Sequence, residues 1–254
     1  MIPLKSFGQI FLKDNRYIEK MVNSMSIENE FVLEIGSGDG RITNFLLKKA
    51  KFLYALEIDS RFVEILKRRF KDFKNIEIIK GDILKFQIEK LNKKVVVFGN
   101  IPYHLSSKII EYLISNRNYI KIAYLTFQKE FSDRLLASVS TKSYSALSCF
   151  LNYYGRAEKI LDIPSSAFSP RPKVDSTFLK IEFYEDLPYR AKDQDFLFKI
   201  IRKAFLNRRK KIINSIPILK KRKELLKELN LDEYKRPEDL SIKDYVYLAN
   251  KLLN

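Results

Sequence analysis

The sequence predicts an α/β protein with a mostly parallel sheet, followed by a small helical domain. Short apolar segments recur through the first half of the chain, at residues 31–35, 52–58, 76–79, 95–98 and 120–127. Helical patterns lie between them, as expected when helices cover both faces of a parallel sheet. Strand-like runs disappear near residues 185–193, and the pattern from there on is helical. We therefore predict two domains, residues 1–185 and 186–254.

The connecting helices are expected at residues 41–49, 60–70 and 106–115. Ser60 is the predicted N-cap of the second of these, because its hydroxyl can accept an N–H of the first turn. Residues 149–154 and 177–183 are predicted to be strands that form an antiparallel pair at one edge of the sheet. The two prolines between them, at positions 170 and 172, predict an extended loop.

The charge of the chain is strongly basic, with 48 Lys and Arg against 31 Asp and Glu among 254 residues and a formal net charge of +17. Such an excess indicates a polyanionic partner, either nucleic acid or an anionic membrane; a lysine-rich genome is the alternative explanation. The basic residues are concentrated, since no acidic residue occurs between Phe196 and Lys223. This run is either a nucleic-acid contact or simply a solvated helix face.

The single cysteine, Cys149, and the single histidine, His104, exclude an internal disulfide and a zinc site of several Cys or His ligands. Cys149 lies in an apolar run, so we expect a buried structural thiol rather than a nucleophile. No stretch approaches the roughly 18 uninterrupted apolar residues of a membrane span, and the N-terminus has no long apolar segment. We expect a soluble, cytoplasmic protein without a metal ion.

A glycine-rich segment, Glu-Ile-Gly-Ser-Gly-Asp-Gly at residues 34–40, lies between a predicted strand and a predicted helix. Glycines let backbone N–H groups approach a ligand closely, because no Cβ stands in the way. Glu57 ends the second strand, where it can hold the two hydroxyls of a ribose. Asp82 ends the third, where it can accept a hydrogen bond from an adenine amino group. The three strand ends together favour an adenosine pocket over an ordinary turn and two solvated acids.

The fourth strand runs directly into Asn-Ile-Pro-Tyr, and Pro102 ends it because proline has no N–H for the sheet. The side-chain oxygen of Asn100 and the backbone carbonyl of Ile101 can both accept hydrogen bonds from an adenine N6 amine. They would favour a pyramidal nitrogen whose lone pair points at an electrophilic methyl group. Tyr103 offers a face for a flipped base, and such stacking is worth roughly 1–3 kcal/mol. Alone this would be a turn; beside the other motifs it predicts methylation of an exocyclic base nitrogen.

These motifs together resemble the class I S-adenosylmethionine methyltransferases and, more narrowly, the KsgA/Erm family of rRNA adenine N6-dimethyltransferases. The resemblance covers almost the whole chain, and its motifs are FGQIFL (7–12), EIGSGDG (34–40), ALEID (55–59), GD (81–82), NIPY (100–103) and FSPRPKVDS (168–176). Two further segments, AFLNRRKK (204–211) and RPEDLS (236–241), favour the KsgA branch over the Erm branch. The resemblance implies a Rossmann-like, mostly parallel seven-stranded sheet with a small C-terminal all-helical domain. It also implies S-adenosyl-L-methionine as methyl donor and S-adenosyl-L-homocysteine as product.

The resemblance assigns roles to individual residues. Cofactor contacts are expected from Gln9, Ile10, Leu12, Gly36, Gly38, Glu57, Ile58, Asp82, Ile83 and Asn100. The expected catalytic residues are Asn100, Ile101, Tyr103 and Phe168, with Phe168 as a second aromatic wall opposite Tyr103. Ile10 stands where the family usually has Asn or His, so a polar contact there is either lost or supplied by the backbone. His104 stands where KsgA proteins often have Asn, and we interpret it as a substituent at the rim of the pocket rather than a proton-handling residue.

The resemblance also gives the basic residues a partner, structured rRNA, whose phosphates they would contact without reading bases. The expected contacts are Arg171, Lys173, Lys199, Arg202, Lys203, Arg208, Arg209, Lys210, Lys211, Lys220, Lys221, Arg222 and Lys223. The implied reaction is dimethylation of two adjacent adenosines in the 3′-terminal hairpin of 16S rRNA, by a monomer acting on a pre-30S particle. The alternatives are an assembly factor that acts mainly by binding and an Erm-like 23S rRNA methyltransferase. A small-molecule N-methyltransferase would leave the basic helical domain unexplained.

Overall fold

The structure is a computed structural model, and it describes residues 9–253. The chain separates into two compact units. The first contains the described residues up to Ser132 together with Ala157–Phe183, and the second contains Asp133–Arg156 and the residues from Tyr184 onward. The structure therefore groups residues 133–156 with the C-terminal part of the chain, whereas a division after residue 185 places them in the first domain.

The strands, in chain order, are β1 (Phe11–Leu12), β2 (Phe31–Ile35), β3 (Phe52–Glu57), β4 (Ile76–Lys80), β5 (Val95–Asn100), β6 (Ile120–Gln128), β7 (Gly155–Ile163), β8 (Phe168–Ser169) and β9 (Ser176–Phe183). Seven of them form one sheet in the order β4-β3-β2-β5-β6-β9-β7. The pairs from β4 through β6 are parallel, and β9 is antiparallel to β6. The remaining two, β1 and β8, pair antiparallel with each other. The predicted mostly parallel, seven-stranded sheet is thus confirmed.

The α-helices are α1 (Asn15–Asn23), α2 (Arg41–Leu46), α3 (Ser60–Arg69), α4 (Ser106–Ser115), α5 (Lys129–Leu135), α6 (Ala146–Tyr154), α7 (Gln194–Leu206), α8 (Ile212–Ser215), α9 (Glu224–Glu228) and α10 (Ile242–Leu252). Among the residues that the structure describes, no helix is long and apolar enough to span a membrane.

The central strands are buried along nearly their whole length, because a parallel sheet is covered on both faces. The register aligns Ile35 at the end of β2 with Leu56 of β3 on one side and Gly99 of β5 on the other. Residues just beyond these positions therefore meet at one edge of the sheet. The glycine-rich turn, Glu57 and Asn100 lie at this edge.

The predicted strand at residues 149–154 is wrong, because these residues belong to helix α6. A capping box starts this helix, with the Ser145 and Ser148 side chains each facing the other's backbone N–H. The helix is apolar nearly all round since most of its residues are buried, including Cys149 and Leu151. A short apolar run of this kind cannot be distinguished from a buried strand by periodicity alone. The edge strand is β7, which follows the helix directly.

The predicted N-cap of α3 is also wrong by one position. Asp59, not Ser60, caps the helix: its backbone is extended, and its carboxylate accepts a hydrogen bond from the N–H of Arg61 at 3.0 Å. The carboxylate also forms an ion pair with the Arg61 side chain at 2.6 Å. Aspartate and serine are comparable N-caps, so the choice between adjacent candidates depends on where the strand before the helix ends.

The second unit is built around α7 and α10, whose buried faces carry Leu197, Ile201, Tyr245 and Leu248. Both of these helices begin with a side-chain N-cap. Asp193 accepts from the N–H of Phe196 at the start of α7, and Ser241 and Asp244 form a capping box at the start of α10. The thiol of Cys149 is fully buried and donates to the Tyr144 hydroxyl at 3.3 Å, which confirms the expectation of a structural cysteine.

Candidate active site

A single pocket at the carboxyl edge of the sheet brings together most of the predicted catalytic and cofactor-binding residues. Those that line it are Gln9, Ile10, Leu12, Gly36, Gly38, Glu57, Ile58, Asn100, Ile101, Tyr103 and Phe168. They come from the ends of β2, β3 and β5 and from the β1–β8 pair. Phe7 and Gly8, the first two residues of the FGQIFL motif, lie outside the described residues.

The glycine-rich turn takes a backbone shape that requires glycine. Gly36, Gly38 and Gly40 have φ values of +72°, +53° and +74°, in the left-handed region that residues with a Cβ rarely adopt. A Cβ on Gly38 would lie 2.7 Å from Cε1 of Phe11, so its absence lets the Phe11 ring rest on the turn. A Cβ on Gly36 would meet no atom within 4 Å, so the backbone of Gly36 faces open space.

Glu57 is buried at the end of β3, where its carboxylate ties the turn to the next helix. One oxygen, Oε2, accepts a hydrogen bond from the N–H of Gly38 at 2.7 Å, and Oε1 accepts from the N–H of Asp59 at 2.8 Å. Burial raises the pKa of this carboxyl, and the two backbone donors act in the opposite direction. Each carboxylate oxygen has two lone pairs, so both can also accept from a ligand hydroxyl.

Asn100 closes the pocket from β5. Its Nδ2 donates a hydrogen bond to the backbone carbonyl of Ile10 at 2.9 Å. A carbonyl oxygen can only accept, so this contact fixes which end of the amide is the donor and leaves Oδ1 as an acceptor. The backbone of Ile10 thus makes a polar contact within the protein, and a polar contact of this position with the cofactor stays a prediction.

The two aromatic residues of the predicted catalytic set both line the pocket. Tyr103 begins the short 3₁₀ turn Tyr103–Leu105 after β5, is half-buried, and places its hydroxyl 2.9 Å from Oγ of Ser176. Phe168 lies in β8, opposite Leu12 of β1, and is buried in the hydrophobic core. His104 is exposed in the turn beside Tyr103.

Two predicted cofactor residues are not brought into this pocket. Asp82 follows β4 and lines a separate, wide groove together with Tyr54 and Lys85. Its carboxylate accepts a hydrogen bond from the N–H of Leu84 at 3.0 Å and caps the short turn that follows. Ile83 is buried in that turn. Contacts of Asp82 and Ile83 with an adenine stay predictions.

Eight lining residues of the pocket escaped the sequence-based assignment: Phe11, Glu34, Ser37, Asp39, Arg41, Ile42, Phe98 and Pro102. Glu34 and Phe11 are the most informative of them. Glu34 is 1% exposed, and its carboxylate accepts a hydrogen bond from Oγ1 of Thr43 at 2.7 Å. Burial raises the pKa of Glu34 to about 7. The signal was an acid inside an otherwise apolar strand, Phe-Val-Leu-Glu-Ile. Phe11 covers the glycine turn and packs edge-to-face on Phe62 at 5.5 Å; no local pattern indicates this contact.

The predicted RNA-binding residues are nearly all exposed. In the second unit the exposed ones are Lys199, Arg202, Lys203, Arg209, Lys210, Lys211, Lys220, Lys221 and Lys223. Arg208 and Arg222 are half-buried and form ion pairs with Glu238 at 3.5 Å and Glu224 at 2.8 Å. In the first unit Lys173 is exposed, and Nε of Arg171 donates to Oγ of Ser165 at 3.3 Å.

Among residues 9–253, no group of three or more His, Cys, Asp or Glu side chains is placed to hold a metal ion.

A mostly parallel sheet whose glycine turn, buried strand-end carboxylate and Asn-Ile-Pro-Tyr turn share one pocket has the architecture of the class I methyltransferases. The fold and the pocket place the protein in that class. The family model for ribosomal RNA adenine dimethylase matches residues 4–253. The chain belongs to this family.

Relatives and solved structures agree with the family. The chain is 40% identical over 256 residues to ribosomal RNA small subunit methyltransferase A of Borrelia garinii subsp. bavariensis, covering 98% of this chain and 89% of the relative. The crystal structure of a dimethyladenosine transferase from Plasmodium falciparum matches with a TM-score of 0.81 and 29% identity, over 96% of this chain and 97% of that one. The 23S rRNA methyltransferase ErmE, at 21% identity and a TM-score of 0.76, covers 96% of this chain and 100% of its own and shares the fold.

Proposed function

We propose that this protein transfers methyl groups from S-adenosylmethionine to N6 of two adjacent adenosines in the 3′-terminal hairpin of 16S rRNA, dimethylating each. The observation that carries the proposal is the orientation of Asn100, whose Nδ2 is occupied by the Ile10 carbonyl at 2.9 Å so that Oδ1 is left to accept. The choice of small-subunit RNA is supported by a relative at 40% identity that is named a small-subunit methyltransferase.

The residues of the pocket fit the cofactor. S-adenosylmethionine supplies, when bound, a methyl group that its sulfonium makes electrophilic. The open space beside Gly36 and the lone pairs of Glu57 suit the cofactor's methionine part and its ribose hydroxyls. Leu12 and Ile58 contribute apolar surface to the same pocket.

The chain itself orients the reacting amine. Oδ1 of Asn100 and the carbonyl of Ile101 accept the hydrogen bonds from N6, two in the first transfer and one in the second, which pyramidalises the nitrogen and aims its lone pair at the methyl group. The nitrogen releases one proton to solvent in each transfer. Tyr103 stacks on the flipped adenine. Catalysis here is electrostatic and orientational, and it uses no covalent nucleophile from the protein.

The basic second unit supplies the RNA contacts of the proposal. Exposed lysines and arginines such as Arg209 and Lys210 would bind phosphates and set the register of the rRNA. We place the reaction on a pre-30S particle in the cytoplasm, carried out by a monomer.

The test is mass spectrometry of rRNA after incubating the protein and S-adenosylmethionine with small subunits that lack the modification. Wild type should convert two adjacent adenosines to dimethyladenosine, and Asn100→Ala should lower the rate by about 100-fold or more. Asn116→Ala is the matched control: Asn116 also donates its amide to a backbone carbonyl, that of Tyr112, at 2.9 Å, but does not line the pocket. Full activity of Asn100→Ala would overturn the proposal, and modification of 23S rRNA alone would favour the Erm-like alternative.

A function mainly in ribosome assembly is the second candidate, supported by the long run of exposed basic residues in the second unit. The assembly function is distinguished from methyl transfer by testing whether Asn100→Ala rescues subunit assembly as well as wild type does. Equal rescue would favour the assembly function. Asn100→Ala is preferable to Glu57→Ala for this purpose, because Glu57 also holds the N–H groups of Gly38 and Asp59 and its loss would disturb the turn.

A further inference from the structure

The hydroxyl of Tyr103 is engaged within the protein. It lies 2.9 Å from Oγ of Ser176, and either oxygen can be the donor. Burial raises the pKa of Tyr103, so the phenol stays neutral at physiological pH and the contact is a hydrogen bond between two neutral hydroxyls. The polar end of the ring is therefore directed at Ser176, while Tyr103 still lines the pocket.

Ser176 is well placed to act as a fixed anchor. It is the first residue of β9, is fully buried, and pairs in register with Gln128 of β6. The preceding residue is held on two sides, because the carbonyl of Asp175 accepts from the N–H of Lys129 at 3.0 Å and its Oδ1 accepts from the N–H of Ser165 at 2.8 Å. The Ser176 hydroxyl therefore projects from a backbone that several hydrogen bonds hold in place.

We propose that Ser176 is a positioning residue for methyl transfer, whose hydroxyl holds the far end of the Tyr103 ring, against which the target adenine stacks, in place. The hydroxyl oxygen lies on the χ2 axis, so its contact with Ser176 fixes the direction of the ring axis, which otherwise moves with χ1. An adenine stacked on a displaced ring would present its N6 off the line to the methyl group, and small misplacements of reacting atoms lower rates strongly. The inference rests on the stacking role of Tyr103 in the proposed function.

The test removes the same hydrogen bond from each end. Ser176→Ala and Tyr103→Phe should each lower kcat/KM for the RNA by about 3- to 10-fold, the usual worth of one neutral hydrogen bond. The affinity for S-adenosylmethionine, measured by calorimetry, should stay unchanged because neither hydroxyl is assigned to the cofactor. The double variant should be no slower than either single variant, since all three lack one and the same bond. Ser176→Thr, which keeps a hydroxyl, should restore part of the lost rate.

The matched control is the next residue of the strand. Thr177 is equally buried, and its hydroxyl donates to Oδ1 of Asp162 at 2.8 Å instead of contacting Tyr103. Thr177→Val therefore removes a comparable hydrogen bond from the same strand, and it should leave kcat/KM for the RNA unchanged. An equal loss in Thr177→Val would mean that β9 stability, not the Tyr103 contact, explains the effect and would overturn the inference.

A second readout does not require turnover. In an RNA hairpin with 2-aminopurine at a target position, the fluorescence of the probe should be quenched by stacking when the hairpin binds the wild-type protein. The quenching should be weaker with Ser176→Ala and Tyr103→Phe. Where Ser176→Ala fails to fold, Tyr103→Phe alone decides. Wild-type rates and quenching in Tyr103→Phe, or additive losses in the double variant, would overturn the role of Ser176. Absence of methyl transfer by wild type would instead overturn the proposed function. The difference in quenching between wild type and Ser176→Ala would then test whether Ser176 positions the Tyr103 ring.

Discussion

Gly38 makes two contacts at once, and both depend on the absence of a side chain. Its N–H donates to Glu57 at 2.7 Å, and its Cα faces the ring of Phe11. Its φ of +53° lies in the region where a Cβ meets the following carbonyl oxygen. Gly36 shares the positive φ but has no neighbour where its Cβ would stand. Substitution of Gly36 therefore tests backbone strain alone, whereas substitution of Gly38 tests backbone strain together with crowding against the Phe11 ring.

We expect Gly36→Ala to destabilise the ligand-free protein by about 1–2 kcal/mol, the cost of the left-handed conformation for a residue with a Cβ. Gly38→Ala should cost more, because the Phe11 ring must also move from a position 2.7 Å from the new Cβ. Urea unfolding without cofactor measures both. In a Phe11→Ala background the two substitutions should cost the same; a difference that persists there would contradict the role of Phe11.

A hydrogen bond to a buried acid links β2 to α2. Glu34 on the strand accepts it from Thr43 on the helix at 2.7 Å. Repulsion from the carboxylates of Glu57 and Asp39 adds to the cost of burying the charged form of Glu34. The pKa of Glu34 is therefore raised from 4.5 to about 7. The folded protein then binds more protons than the unfolded chain between these two pH values. The contribution of Glu34 to stability is fully present below pH 4.5 and is lost as the pH rises through about 7.

Glu34→Gln should remove this dependence while keeping an oxygen for Thr43. Relative to wild type, the variant should gain stability as the pH rises from about 5 to about 8, by on the order of 1–3 kcal/mol. Urea unfolding of the ligand-free protein across that range is the measurement. Glu28→Gln is a control without pH dependence over most of that range, because hydrogen bonds from its own backbone N–H and from Lys49 lower the pKa of Glu28 and the carboxylate is ionised in both the folded and the unfolded protein there. A pH-independent difference between Glu34→Gln and wild type would refute the assignment.

The whole molecule divides its work between two units, one with the pocket and the other with most of the exposed basic residues predicted to bind RNA. A net charge of +17 favours a polyanionic partner. Not every basic residue is free to bind it, since Arg208 is paired with Glu238 and also donates to the carbonyl of Thr141 at 3.1 Å. The neighbouring residues Arg209 and Lys210 are exposed.

Arg209→Ala and Lys210→Ala should each weaken rRNA binding and reduce the slope of log Kd against log salt concentration by about 1, as expected for one phosphate contact each. Affinity for S-adenosylmethionine should not change. Filter binding over a salt series is the measurement, and Lys71→Ala, at an exposed lysine of the first unit, is the control. Unchanged slopes in both variants would show that this run does not contact the RNA.

Much of this protein could be read from local patterns. Helix α4 lies at the predicted residues, and strands β2 and β6 differ from prediction by at most one residue at an end. Helix α6 was mistaken for a strand because a buried helix of nine residues has no polar face to reveal its period. The cap at Asp59 was missed since two good capping residues are adjacent there.

The sequence by itself determined the parallel sheet and the residues that gather at its carboxyl edge, because parallel strands bring their ends to one side whatever else the chain does. Only the tertiary structure decided which of these residues share a pocket, placing Glu34 and Phe11 in it and Asp82 outside. The same holds for the bonds from Asn100 to Ile10 and from Tyr103 to Ser176, which join residues 90 and 73 positions apart. Contacts over such distances depend on how separate segments pack, and no local periodicity encodes that.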